Sequence, residues 1–389
     1  MRRAIPTTAC DSHLAPLRLR VFVYAWMIAA APGAGIAWAQ ARQGAIELWE
    51  RSGRWAYGPA PNTNFVAVAG GYGHSLGLKA DGSVVAWRYN IYGQTDVPAP
   101  NTGFVAISAG AGHSLGLKAD GSIVAWGANG SGQTDVPVPN TGFVAVAAGH
   151  GHSLGLKADG SIVAWGSNFA GQRNVPAPNS GFVAIAAGRE HSLGLKADGS
   201  IVAWECAEIH CDENLYCGCS VPASAPPSPN SGFVGVAAGG AYSLGLKADG
   251  SIVAWGFDYL GQTDVPAPNM DFVAVAAGEH HGLGLKSDGS IVAWGNNWGQ
   301  TSVPAPNVGF VAIAGGREHS LAIRRTTGDA DADGDVDAAD LAVFGDHLFG
   351  PSTEPPLTEW PLFDLDGDGD VDLRDWALLE SDYVTGPDS

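Results

Sequence analysis

The chain has 389 residues, enough for one large domain and a small one, and a formal charge of −19 from 39 acidic and 20 basic residues. The charge is uneven: Asp329 to Ser389 holds 18 Asp/Glu against the single Arg374, which leaves only −2 on the 328 residues before it. A near-neutral body with an acidic tail offers no basic patch, so nucleic acid is excluded as a partner.

Residues 1–39 read as a secretory signal peptide. Arg2, Arg3, Arg18 and Arg20 make a basic start, VFVYAWMIAAA (Val21 to Ala31) is the apolar run, and Ala37-Trp38-Ala39 is a small-x-small cleavage site before Gln40. The run is too short to span a bilayer comfortably, which argues against an uncleaved anchor. The expectation is a secreted protein, extracellular or attached to a cell surface, with no membrane span after signal removal.

Residues 40–327 are a repeat. A His-Ser-Leu anchor recurs at His74, His113, His152, His191, Tyr242, His281 and His319, in steps of 39, 39, 39, 51, 39 and 38 residues. A period near forty marks a propeller or a solenoid. In one unit, FVAVAAG, HSLGLK and SIVAW are strand-length runs, and Asp-Gly between the last two is a tight-hairpin signal. The proline-containing QRNVPAP segment allows a short edge strand at most. Four short strands per unit is one propeller blade.

The ends decide between a ring and an open stack. Seven tryptophan halves (Trp49, Trp87, Trp126, Trp165, Trp204, Trp255, Trp294) face seven anchors, but the first tryptophan half has no anchor before it and the last anchor has no tryptophan half after it. Two orphans completing one blade predict an all-β, seven-bladed propeller closed by its N-terminal strands. An open stack would need polar capping repeats instead. The recurring phrase V-x-A-x-x-x-G-x-x-H-S-L-x-L-x-x-x-G-x-V-x-x-W-G-x-N-x-x-G-Q, over about Gly44 to Arg325, resembles the regulator-of-chromosome-condensation repeat, whose members are seven-bladed propellers. The wording HSLGLK…VAWG…GQT-x-VPAP is similar to the secreted β-lactamase-inhibitory propellers.

Comparing the repeats with one another locates the variation. The Ala-Asp-Gly or Ser-Asp-Gly turn is constant, while the loops at the other end of the strands differ. Those loops carry Tyr72, Tyr89, Tyr92, Phe169, Arg189, Glu190, Phe257, Tyr259, Glu279, His280, Trp298 and Arg317, the candidate binding face for a protein or glycan. The six anchor histidines are expected to be structural rather than a metal ring, hydrogen-bonded locally or to a neighbouring blade.

The 51-residue step carries an insertion over 205–220 with Cys206, Cys211, Cys217 and Cys219. In a secreted chain four cysteines point to two disulfides of open connectivity. A zinc site with His210 is disfavoured by the lack of C-x2-C pairs.

Residues 328–389 hold two matches to the calcium loop D-x-D-x-D-G-x-x-x-x-x-[acid]. The ligand positions are Asp329, Asp331, Asp333, Asp335 and Asp340, then Asp364, Asp366, Asp368, Asp370 and Asp375. Each loop wraps oxygens around one ion, so two calcium ions are expected rather than a disordered acidic tail. Helical patterns follow each loop. The duplicated unit with aspartate at position 12 resembles type I dockerin, so the tail is expected to be a small α-helical dockerin-like domain. That resemblance implies a cohesin-like protein partner. The pairs Ala338-Ala339 and Leu373-Arg374 depart from the Ser/Thr-rich pair of cellulosomal dockerins.

The combined expectation is a non-enzymatic binding propeller tethered by its calcium-dependent tail. Its rivals are an inhibitor of an extracellular enzyme and a propeller lyase or glycosidase using Glu190, Glu279 or Glu318.

Overall fold

The computed structural model describes residues 44–50, 58–205 and 225–325. The signal segment, the four cysteines, most of the insertion and the ten tail aspartates lie outside the described residues.

Seven antiparallel three-stranded sheets form the body. Blade 1 comprises Phe65–Gly70, His74–Lys79 and Val84–Arg88; blade 2, Phe104–Ala109, His113–Lys118 and Ile123–Gly127; blade 3, Phe143–Ala148, His152–Lys157 and Ile162–Gly166. Blade 4 comprises Phe182–Ala187, Ser192–Lys196 and Ile201–Trp204; blade 5, Phe233–Ala238, Tyr242–Lys247 and Ile252–Gly256; blade 6, Phe272–Ala277, His281–Lys286 and Ile291–Gly295. Blade 7 joins Phe310–Gly315 and His319–Arg324 to the first described strand, Ala45–Glu50. That pairing runs from Ala45 opposite Arg324 to Glu50 opposite His319. The ring is therefore closed by the N-terminal strand, as the orphan halves predict.

Each blade has three strands, not the expected four. The proline segment forms no strand among the described residues, and its asparagine side chain takes the missing strand's place. Asn140 Nδ2 donates to the Ile123 carbonyl and its Oδ1 accepts the Ile123 N–H, each at 2.8 Å. The same pair of bonds joins Asn62 to Ile46, Asn101 to Val84, Asn179 to Ile162, Asn230 to Ile201, Asn269 to Ile252 and Asn307 to Ile291. A carboxamide presents the same donor and acceptor as a peptide group. It satisfies an outer-edge residue that the flanking prolines cannot.

The core lies between the blades. Each of seven apolar clusters spans one junction; that of blades 3 and 4 joins Leu154, Leu156 and Ile162 to Phe182, Ile185 and Trp204. Middle strands are buried on both faces because each is covered by two neighbouring blades. Their glycine has a steric reason: a Cβ on Gly155 would lie 2.5 Å from the Phe143 ring. The constant turn is also explained, since Gly160 has φ +80° and Asp159 Oδ1 accepts the Ser161 N–H at 2.9 Å.

A second set of bonds rivets the junctions. His74 Nε2 lies 2.9 Å from Ser114 Oγ of the next blade, and Ser114 Oγ donates to the Gln94 carbonyl at 2.9 Å. That carbonyl also accepts Trp126 Nε1–H at 2.9 Å. Because the serine proton is committed to Gln94, the histidine must donate from Nε2, and burial, which lowers its pKa, keeps the ring neutral. The histidine–serine contact repeats at His113–Ser153, His152–Ser192, His191–Ser243, His281–Ser320 and His319–Ser75. At the remaining junction Tyr242 replaces histidine and Gly282 replaces serine, and the phenol donates to the His281 carbonyl.

Candidate functional site

In the five blades whose outer loops are described, the two variable loops lie on one face because they are hydrogen-bonded to each other. The loop after the outer strand donates to the loop after the inner strand: Tyr89 N to Gly73 O at 3.1 Å, Ser167 N to Gly151 O at 2.8 Å, Phe257 N to Ala241 O at 2.9 Å and Asn296 N to His280 O at 2.9 Å. In four outer loops a glutamine, Gln94, Gln133, Gln172 or Gln262, caps the loop from within, as where Gln94 Oε1 accepts Tyr92 N–H at 2.8 Å.

At the centre of this face the inner loops meet around the axis. Tyr72 N donates to Gly110 O, Ala111 N to Gly149 O, His150 N to Gly188 O and Arg189 N to Gly239 O. Glu279 N then donates to Gly316 O, and Arg317 N to Gly71 O, which completes the circle. The link from Gly240 is offset by one residue, to Glu279 O, at the junction where Tyr242 stands. Tyr72, Ala111, His150, Arg189, Gly240, Glu279 and Arg317 thus occupy equivalent axial positions around a funnel of about 150 Å³.

Ala111 and Gly240 are too small to fill their places, so their neighbours reach across them. Arg189 spans Gly240 to pair with Glu279 at 3.5 Å. Tyr72 spans Ala111 to meet His150 edge-on, with centroids 6.0 Å apart. Arg317 stacks 4.0 Å above the Tyr72 ring. The mouth therefore has two arms, Arg317–Tyr72–His150 and Arg189–Glu279.

Of the sequence candidates, Tyr72, Arg189, Glu279 and Arg317 are brought together here. Glu190 lies one residue further out, 3.6 Å from Arg189. His280 holds the same outer position in its blade, and burial lowers its pKa. The third candidate acid, Glu318, is 3.6 Å from Arg317. Tyr89, Tyr92, Phe169, Phe257, Tyr259 and Trp298 are exposed on the outer loops of four blades. They are spread around the rim, except that Phe257 and Tyr259 stack with centroids 6.3 Å apart. His150 is an axial residue that the candidate set omits. Its place in the two-residue gap before the anchor was the available signal, but nothing in the sequence shows which of the two turns inward.

The anchor histidines are engaged in the junctions rather than facing the funnel. Burial pushes the pKa of His74 and His191 down to about 4 and that of His113, His152 and His281 to about 3. His319 is also pushed well down by burial, aided by Arg88. Among the described residues no group of three His, Cys, Asp or Glu side chains could hold a metal.

A closed ring of seven repeated sheets with one variable face defines a repeat β-propeller. The regulator of chromosome condensation (RCC1) repeat matches residues 104–133, 143–172 and 272–297, and the dockerin type I domain matches 327–382. The chain is thus an RCC1-repeat β-propeller with a C-terminal type I dockerin domain, a module that implies calcium and a cohesin partner outside the cell. The solved structure of Prp20p from Saccharomyces cerevisiae is similar, with a TM-score of 0.58 at 18% identity over 77% of this chain and 96% of that one. Human WBSCR16 gives 0.55 at 17% identity, over 72% and 100%. The CRINKLY WD40 ectodomain of the Arabidopsis thaliana receptor kinase ACR4 gives 0.52 at 27% identity, over 67% and 92%. No curated protein sequence matches the chain.

Proposed function

We propose that this protein is a secreted, non-catalytic recognition propeller. Its dockerin domain, loaded with two calcium ions through Asp329 to Asp340 and Asp364 to Asp375, holds it on a cohesin-bearing scaffold or surface. The funnel face then engages a second partner. The observation that supports this reading is the division of labour within each repeat: six of the seven junction rivets and all the Asp-Gly turns are alike, while substitutions to aromatic and charged residues gather on one face. Exposed tyrosine, tryptophan and arginine on rigidly capped loops are the residues that anchor interfaces. The three candidate acids each sit beside an arginine on that face, which suits recognition at least as well as proton transfer.

The middle strand of blade 7 carries the chain away from the funnel. Six residues separate His319 from Arg324, about 17–20 Å of extended chain, so the chain leaves the propeller on the face opposite the funnel. A tether rooted there leaves the funnel face free for its partner.

The test is affinity capture from culture medium of the producing cells with immobilised full-length protein. A cohesin-bearing protein should elute with chelator. A second protein should persist with chelator and disappear when Tyr92, Tyr259 and Trp298 are replaced by alanine. Capture that is indifferent both to chelator and to the triple replacement would refute the proposal.

A further inference from the structure

The axial mouth is more specific than the rim around it. Arg317 spends its flat face on Tyr72, at 4.0 Å, and this stacking holds the guanidinium in place. The carboxylate it pairs with, Glu318, stands 3.6 Å away, too far for a hydrogen bond. The Arg317 side chain is 37% exposed, which leaves its N–H groups open to water. Across the funnel Arg189 is fixed by Glu279 on one side and is 51% exposed. A stacked guanidinium with free edge donors matches the two oxygens of a carboxylate.

A cationic ligand fits poorly. The aromatic face that would receive it already carries Arg317, and the half-buried carboxylate of Glu279 is already engaged by Arg189. A doubly charged anion is also disfavoured, because Glu190 and Glu318 flank the two arginines. Size narrows the choice again. About 150 Å³ is roughly half the smallest pockets that take drug-sized ligands, and suits one side chain better than a sugar ring.

We infer that the axial funnel receives a single carboxylate on a protruding aspartate or glutamate of a partner protein, with Arg317 as the forked donor and Arg189 facing it. The inference rests on the recognition role of this face and adds the chemistry of its central contact.

The test uses the full chain in calcium buffer with arginine side chains isotopically labelled for NMR. The probes are the end-capped peptide Gly-Gly-Glu-Gly-Gly, its glutamine counterpart, galacturonate and inorganic phosphate. The glutamate peptide should shift the Arg317 and Arg189 guanidinium signals saturably, and bind roughly tenfold more tightly than the glutamine peptide, the order expected of one charge-assisted pair. Arg317→Lys keeps the charge but loses the fork and the stacking, and should remove most of that preference while leaving the melting temperature near that of the parent. Arg317→Ala should remove it entirely. Equal binding of the two peptides, an unchanged preference in Arg317→Lys, or a stronger response to galacturonate or phosphate would overturn the inference. If the carboxylate test fails while the triple aromatic replacement still abolishes capture, the recognition face stands and only its proposed central contact falls.

Discussion

Two junctions of the ring solve one problem differently. Between blades 2 and 3, His113 reaches Ser153 at 2.9 Å, and the serine hydroxyl donates a hydrogen bond to the Gln133 carbonyl at 2.9 Å. Between blades 5 and 6 a longer phenol, Tyr242, passes over a residue with no side chain, Gly282, and bonds the His281 backbone directly. Histidine and serine have changed together, forty residues apart in sequence and adjacent in space. The comparison teaches that the junction requires a buried donor meeting a buried acceptor, not a particular imidazole. It also shows where tolerance ends: at this altered junction the axial hydrogen bond is offset by one residue, to Glu279 O.

The largest test of the comparison is acid. The six anchor histidines have folded pKa values far below their ordinary 6.5, so the unfolded chain binds their protons first. Their contribution is complete above pH 6.5 and falls as the pH drops toward about 4 to 3, by up to about 1.4 kcal/mol per histidine for each pH unit. Steep cooperative unfolding in that window is expected by circular dichroism, and His152→Gln should make it shallower. Tyr242, raised rather than lowered by burial, adds nothing to this slope. The turn aspartates, such as Asp120, are held below their usual range by serine hydrogen bonds, so any contribution from them persists to lower pH.

Next in size is the seam between blades 7 and 1. Glu50 of the closing strand bonds to Arg88, and both side chains are nearly buried, at 5% and 10% exposure. Arg88 stands where four blades have glycine, at φ +81°. Glu50→Gln strands the buried guanidinium and should cost about 3–5 kcal/mol in denaturant unfolding. Adding Arg88→Gly should recover most of it, since that change also relieves the left-handed backbone. If the double variant is no more stable than the single one, the seam does not depend on this pair.

The exchange at blades 5 and 6 can be reversed. A Cβ on Gly282 would lie 2.4 Å from the Trp294 ring, so Gly282→Ser alone should destabilise by about 1–3 kcal/mol. Together with Tyr242→His it should rebuild the common junction, and a double-mutant cycle should show coupling of about 1 kcal/mol or more. Additive effects would mean that the two substitutions are unrelated. The smallest stability effect belongs to the rim. Tyr259, 83% exposed, should change stability by less than about 0.5 kcal/mol when replaced by alanine, with any loss confined to partner capture.

The parts legible in the sequence were those fixed by periodicity. Blade number, closure by Ala45–Glu50 and the Asp-Gly turn all follow from counting copies of one phrase. The absent fourth strand was not legible, because a strand and an asparagine imitating one leave the same short segment after the prolines. The axial site was half legible. The substitutions at Arg189, Glu279 and Arg317 stand out against the repeat, but the bridging role of Ala111 and Gly240 depends on how far their neighbours' side chains reach around a ring. His150 belongs to that group for the same reason.

The closing strand has a consequence for how the molecule comes into being. Ala45 pairs with Arg324, so the earliest described strand finds its partner only after six blades have been laid down between them. Until then Trp49 and Ile46 lack the surfaces that bury them in the finished ring. Contacts this distant in sequence are the slowest to form, and a strand edge waiting for its partner is open to the wrong one. Ribosomal synthesis therefore makes this strand first and seats it last, and the rate of that final step sets how long the nascent propeller stays exposed to mispairing.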